Sequence, residues 1–321
     1  EAEGSPKLLR ACSAKPRDGI VIRTNTERVR KTRKLALELL MSDHDGDCIG
    51  PCSLNCPAHT DCQKYVAEIA DKNYKAAVST VMEKIPIPAS IGRVCPHPCE
   101  TACRRQKVEE PLSIAYLKAF AADKVINEGY PLPEKKENTG KTVGIIGGGP
   151  AGLSAAYKLA LNGHTVTVYD KMPKMGGMLR YGIPEYRLPK KVLDGEVALI
   201  EKLGVKFEYE KKLGRDFTVK ELSEKYDAVL AALGAWSSSK LGCPGDDAEG
   251  VVGGIAMLYK AATGEAQSLG NDVAVVGGGN TAIDAARTAV RLGAENVTLI
   301  YRRTRGEMPA EAEEIRDAED E

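Results

Sequence analysis

Two segments 130 residues apart follow one pattern: a short apolar strand, a glycine-rich turn, then a helix. The first is KTVGIIGGGPAGLSAAYKLALNGHTVTVYD, residues 141–170. A strand over 143–146 runs straight into Gly147-x-Gly149-x-x-Gly152, a helix follows to about 162, and a second strand over 165–169 ends at Asp170. Gly147 permits the tight turn, Gly149 lets backbone approach a pyrophosphate, and Gly152 lets the helix pack on the strand. The helix N-terminus offers free N–H groups and a positive dipole end to phosphates. Asp170 lies 23 residues after Gly147, where an acid accepts hydrogen bonds from ribose hydroxyls. Strand, glycines, helix, strand and terminal acid together predict a dinucleotide-binding unit.

The second segment is DVAVVGGGNTAIDAARTAVRLGAENVTLIYRR, residues 272–303. A strand over 273–276 meets Gly277-x-Gly279, and a helix starts near Thr281. Ala282 takes the third glycine's place, as the motif allows. The second strand, 297–301, ends on Tyr301, Arg302 and Arg303 rather than on an acid. A carboxylate there would repel a 2′-phosphate, whereas guanidinium groups bind one in charge-assisted pairs. The unit therefore reads as NADP(H)-binding; the alternative is that the arginines are surface charge. Two such units imply two nucleotides. The stretch 171–190, rich in Gly, Pro and Met, is more than a plain dehydrogenase needs, and suits a flavin enclosed along its length.

Nine cysteines are present, and Cys12, Cys48, Cys52, Cys56, Cys62, Cys95, Cys99 and Cys103 all lie in the first third; Cys243 stands apart. A disulfide framework suits short secreted chains, but this chain has 321 residues and no signal peptide. Thiolate ligation of metal or cluster is the stronger reading. Zinc sites with four thiolates favour Cys-x2-Cys pairs, and none occurs. No such pair accompanies the flavin region either, which argues against a dithiol–disulfide mechanism. Cys243 reads as structural. Lys+Arg and Asp+Glu both number 45, so no global field favours nucleic acid or anionic lipid. No apolar run approaches the ~20 residues of a membrane helix.

The region 141–310 resembles the flavoprotein family of glutamate synthase small subunits. That family includes the large subunit of ferredoxin:NADP transhydrogenase and the N-terminal half of dihydropyrimidine dehydrogenase. GGGPAGLSAAYKLA, GGMLRYGIPEYRLPK, GGGNTAIDAAR and YRRTRGEMPAE carry the resemblance. It implies FAD on the first unit, held by Gly147, Gly149, Pro150, Ala151, Gly152, Asp170, Lys171, Gly177, Met178, Leu179, Arg187 and the Leu233-Gly234-Ala235 loop. It implies NADP(H) on the second, held by Gly277, Gly279, Asn280, Thr281, Arg302 and Arg303. The family's later FAD segment would lie beyond Glu321.

The same family carries an N-terminal helical domain with two [4Fe-4S] clusters, marked by a Cys run ending in Cys-Pro and then GRVCPxPCExxC. Here these are Cys52-x3-Cys56-Pro57 and Gly92 to Cys103. The resemblance groups Cys48 and Cys52 with Cys103 on one cluster. Cys56, Cys95 and Cys99 fall on the other, completed in the family by a Gln or Glu. That position falls near Lys118, whose ammonium has no lone pair to give. One [4Fe-4S] cluster is therefore expected and a second has room, with Cys62 and His44 as candidates for the missing ligands. Residues 8–48 also resemble the junction in iron-only hydrogenases and in the iron–sulfur subunit of NADH dehydrogenase. There Cys12 matches the last ligand of a [2Fe-2S] domain, and is expected here as an unpaired thiol. His44-x3-Cys48 matches the opening of a one-histidine, three-cysteine [4Fe-4S] site.

The expected architecture is α/β: a lead-in over 1–44 (the end of a ferredoxin-like domain plus a helix over 27–41), a helical [4Fe-4S] domain over 45–137, an FAD domain over 141–250 and an incomplete NADP(H) domain over 251–321. The linker is 130–140. Further helices are expected over 63–70, 74–84 and 113–127, a Pro-rich loop over 85–103, and a frayed acidic helix over 311–321. Glu1 is not Met, and the second α/β unit stops short, as in a piece of a longer chain. The expected function is an oxidoreductase module moving electrons between NADP(H), FAD and [4Fe-4S]. The recipient would be a partner subunit or ferredoxin, in the cytoplasm, without nucleic acid or a membrane span. The alternatives are an electron-wiring or scaffold domain inactive alone, and a glutamate synthase small subunit.

Overall fold

The computed structural model describes residues 1–44 and 48–321, so the expected start of the cysteine block at residue 45 lies outside the described residues. The chain divides into two units, Glu1–Gly50 and Pro51–Glu321. In the first, Ala2 and Ile22 form an antiparallel bridge ahead of α1, Glu27–Ser42. Thr26 caps α1 by accepting from the Val29 N–H at 3.3 Å. Val29 is buried, but Leu35, Leu39 and Leu40 of the same helix stand exposed.

The second unit opens with six helices: α2 Pro51–Asn55, α3 Cys62–Ala70, α4 Tyr74–Met82, α5 Pro88–Val94, α6 Pro98–Thr101 and α7 Ile114–Val125. Asp61 and Asn73 cap α3 and α4, each accepting a backbone N–H with its side chain, which satisfies donors the first helical turn cannot. The expected loop over 85–103 contains α5 as well as α6. Pro88 begins α5 from its first turn, where a missing N–H costs nothing. The 130–140 linker lies along the following domain: Lys136 N–H donates to Leu161 O at 2.9 Å and Thr139 N–H to Gly163 O at 3.0 Å.

An α/β part follows: β1 Thr142–Ile146, α8 Pro150–Leu161, β2 Thr165–Tyr169, α9 Met178–Tyr181, α10 Lys190–Lys202, β3 Lys206–Glu208, α11 Val219–Lys225 and β4 Ala228–Ala231. Its four strands are parallel in the order β3-β2-β1-β4, with Val143 opposite Val166 and Ala228. The last part comprises α12 Gly254–Thr263, β5 Asp272–Val276, α13 Asn280–Arg291, β6 Asn296–Ile300 and α14 Ala312–Asp320. Here β5 and β6 form a two-stranded parallel sheet. Residues 311–321, expected to fray, fold as α14 because Arg287 of α13 grips Glu314, Asp317 and Glu321.

One apolar core runs through both the helices and the first sheet, joining Tyr65, Met82 and Ile87 to Ile145, Leu153 and Leu193. The last part has its own small core around Met257, Leu258, Ala285 and Ala289. Among the described residues no helix is long and apolar enough to cross a membrane.

Candidate cofactor sites

At the first turn, Gly147 takes φ +111°, and a Cβ on it would stand 2.2 Å from the Ala232 carbonyl oxygen. A Cβ on Gly152 would stand 1.9 Å from the Gly147 carbonyl oxygen. Backbone atoms cannot yield by such amounts, so both glycines are fixed by close approach. Gly149 faces Gly177: a Cβ on Gly177 (φ +53°) would lie 2.7 Å from the Gly149 Cα. The turn is thereby a cradle without side chains, ending on the N-terminus of α8, and it fits a flavin dinucleotide's pyrophosphate.

Asp170 is buried, and its two oxygens accept from Gly148 N–H at 2.6 Å and Met172 N–H at 2.8 Å. Its first task is therefore to brace the turn. The motif's spacer Gly148, which sequence reasoning passed over, is closely packed too: a Cβ there would stand 2.0 Å from the Met175 Sδ, and that buried side chain would have to shift. Lys171 lies over the Trp236 ring at 4.3 Å, beside Tyr181 and Tyr259, tying the Leu233-Gly234-Ala235 loop to this face. Pro150 and Ala151 open α8, and Met178 and Leu179 open α9 behind Gly177. Arg187, expected on FAD, is paired with Asp284 at 2.7 Å and Glu314 at 2.6 Å. Burial pushes Asp284 up to about 6, against the pull of Arg187.

At the second turn, the Gly277 N–H donates to Ile300 O at 2.9 Å, so β6 ends beside the turn that β5 feeds. A Cβ on Gly278 would meet the Tyr301 ring at 2.6 Å. Arg302 and Arg303 follow directly and are exposed at that edge. The Arg303–Glu307 separation is 3.9 Å with both groups half-exposed, a weak tie. Asn280 does not stand free: its Oδ1 accepts from the Glu311 N–H at 3.0 Å, while Ala310 N–H donates to Gly278 O. The chain over 309–311 thus folds across the turn, with Thr281 exposed at the start of α13. Glycine turn and unshielded arginines fit a dinucleotide carrying a 2′-phosphate.

Four cysteines of the second unit line a cavity of about 290 Å3. Cys56, Cys62, Cys95 and Cys99 line it, with Lys118. Pro150 and Ser154 of α8 form another wall. Each thiol is placed by its element. Cys62 begins α3, Cys95 follows α5, and Cys99 sits in α6. Glu100 accepts from the Ala115 N–H at 2.8 Å, pinning the start of α7 to α6 and so fixing Lys118 one turn further on. His97, in a left-handed conformation, donates its N–H to Cys95 Sγ at 3.4 Å. Cys62 and Cys99 interact directly: Cys99 and then burial push Cys62 well above the usual thiol range, while Cys62 holds Cys99 down to about 7. Among the described residues no three His, Cys, Asp or Glu side chains are arranged as a single ion needs. Four thiols spaced around a void fit an iron–sulfur cluster better than zinc.

Cys103 is buried after α6, which packs on α2, the helix carrying Cys52. Cys48 belongs to the first unit, with His44 Nε2 3.9 Å from its Sγ. Cys12 is free and exposed. Cys243 is exposed as well, not the structural thiol expected.

Residues 141–321 match the family described as pyridine nucleotide-disulphide oxidoreductase. The chain belongs to that family. Residues 46–130 match dihydropyrimidine dehydrogenase domain II, 4Fe-4S cluster. The flavoprotein family therefore has its helical [4Fe-4S] domain in this chain, and [4Fe-4S], FAD and NADP(H) are its cofactors. The NADPH-Fe(3+) oxidoreductase subunit beta of Geobacter sulfurreducens is 42% identical over 277 residues, covering 84% of this chain and 41% of the relative. The NADP(+)-dependent formate dehydrogenase subunit beta of Moorella thermoacetica is 44% identical over 294 residues, covering 84% and 42%. The NAD-dependent dihydropyrimidine dehydrogenase subunit PreT of Escherichia coli (strain K12) is 36% identical over 271 residues, covering 84% and 65%. The chain thus spans about two-fifths of the length of the first two relatives. All three are subunits by name.

Proposed function

We propose that this chain is the electron-transfer module of a multi-subunit NADP(H)-dependent oxidoreductase, linking a pyridine nucleotide to a partner subunit or a ferredoxin-type carrier. One observation carries the reading: the four-thiol cavity and the first dinucleotide turn share a wall, since Pro150 and Ser154 line the cavity and Pro150 directly follows Gly149. When bound, FAD exchanges a hydride with NADP(H) and single electrons with the cluster.

The residues of the chain bind and orient. Gly147, Gly149, Gly152 and Gly177 admit the flavin pyrophosphate, with Asp170 bracing the turn and offering its remaining lone pairs to a ribose. Gly277, Gly279, Asn280 and Thr281 shape the second turn, and Arg302 and Arg303 select a 2′-phosphate. Cys56, Cys95 and Cys99 hold iron, and the α2–α6 packing that brings the helix of Cys52 to the helix preceding Cys103 leaves room for a second cluster. Nine cysteines with no disulfide among the described residues suit a reducing compartment, which supports a cytoplasmic setting.

Anaerobically purified full-length protein tests this by visible and EPR spectroscopy. The expected result is a flavin spectrum bleached by NADPH together with a reducible iron–sulfur signal. Cluster signals without flavin would favour an electron-wiring role, and a colourless protein would end both readings.

A further inference from the structure

The cavity holds one thiol more than the resemblance supplies. Cys56, Cys95 and Cys99 are the expected ligands on this side, and a [4Fe-4S] cluster bound only through protein thiolates needs four. The position where the resemblance puts a non-cysteine ligand is occupied by Lys118, which lines the cavity at 5% exposure. A protonated amine has three donors and no acceptor, so it cannot bind iron. Cys62 lines the same cavity at 3% exposure, on the first turn of α3 beside Cys99. Its Sγ is also 3.8 Å from the Cys52 carbonyl oxygen.

We infer that Cys56, Cys62, Cys95 and Cys99 form the complete ligand set of one [4Fe-4S] cluster, with Lys118 as its counter-charge. The inference rests on the reading that this cavity holds iron. Binding deprotonates each of the four thiols and forms four iron–sulfur bonds, with no change of oxidation state at the protein. The four thiolates give the site a net negative charge, which a buried ammonium offsets. Reduction adds further negative charge, so Lys118 stabilises the reduced form and raises the potential.

The test uses the full-length chain, prepared anaerobically, with far-UV circular dichroism as the folding control. Cys62→Ala is expected to lose about one iron per chain and gain the EPR signal of a three-iron cluster. Cys62→Ser, which keeps the volume and offers oxygen, is expected to retain iron with an altered EPR line shape. Lys118→Met is expected to keep the iron and lower the midpoint potential in an EPR-monitored titration. The control is Cys95→Ser. If it disturbs the cluster while both Cys62 variants match the parent in iron content and line shape, the ligand assignment is overturned and the iron reading stands. If Cys95→Ser also leaves iron and EPR unchanged, the iron reading of the cavity falls with it. An unmoved potential in Lys118→Met overturns the counter-charge.

Discussion

Arg302 and Arg303 differ from Asp170 in one decisive respect. Asp170 is buried and engaged by two backbone N–H groups, so it stabilises a turn whether or not a ligand is bound. The arginines stand exposed past β6 with little to hold them, which suits groups kept for a ligand. Charge-assisted contacts are worth about 1.5–3 kcal/mol each, so Arg302→Ala with Arg303→Ala should weaken NADPH relative to NADH by about tenfold or more. Titrating the complete protein with both nucleotides measures this, and equal loss would remove the 2′-phosphate argument. At this scale the motif glycines were legible, because the positive φ of Gly147 and the approach of Gly152 to Gly147 belong to the local turn itself. Gly148 was not, since its reason is Met175, a residue from the next loop. The ion pairs of Arg187 were hidden for a similar cause: Asp284 and Glu314 lie far along the chain, beyond the second glycine turn, and carry no local signal.

Between elements, Glu196 of α10 does for α5 what a capping side chain normally does from within a helix. It is 1% exposed and accepts from Ala89 N–H at 2.7 Å and Ser90 N–H at 3.0 Å, with Tyr130 OH 3.4 Å away. It thereby fastens the flavin domain to the helix that ends at Cys95. Burial raises its pKa from 4.5 to about 7, against the pull of those donors. A raised carboxyl pKa means the folded state binds more protons than the unfolded state between these values. Its contribution is thus fully present below pH 4.5, falls as pH climbs to 7, and levels off above. The change is about 3 kcal/mol. Urea unfolding of Glu196→Gln and the parent across this range should show the variant's stability depending less steeply on pH; parallel curves would refute the assignment. Strands and turn-flanking helices were readable from period and punctuation, but α5 was hidden because Pro88 reads as a loop signal when it is a helix start. The acids of α14 looked like a frayed end because their cations lie on α13.

At the largest scale, within Pro51–Glu321, the extended core and the small core of the last part predict two cooperative bodies. The first joins the cysteine helices to the β3-β2-β1-β4 sheet, and the second surrounds Met257 and Ala289. Residues 237–252 between them contain no helix or strand and are largely exposed. Limited proteolysis should therefore cut there first, leaving a fragment that retains both iron and the flavin turn. Early cleavage in 130–140 would contradict this, since that segment is strapped to the sheet domain. The order of domains was legible in the sequence, but their fusion was not: nothing local announces that Tyr65 and Leu153 belong to one interior.

That shared interior reaches into biogenesis. A cell short of iron would leave the thiol-lined hollow unfilled, and the loosened helices press on the same hydrophobic mass that backs the FAD cradle. Protein made under iron starvation should therefore emerge poor in flavin as well as in metal, and restoring iron alone should improve its uptake of added FAD.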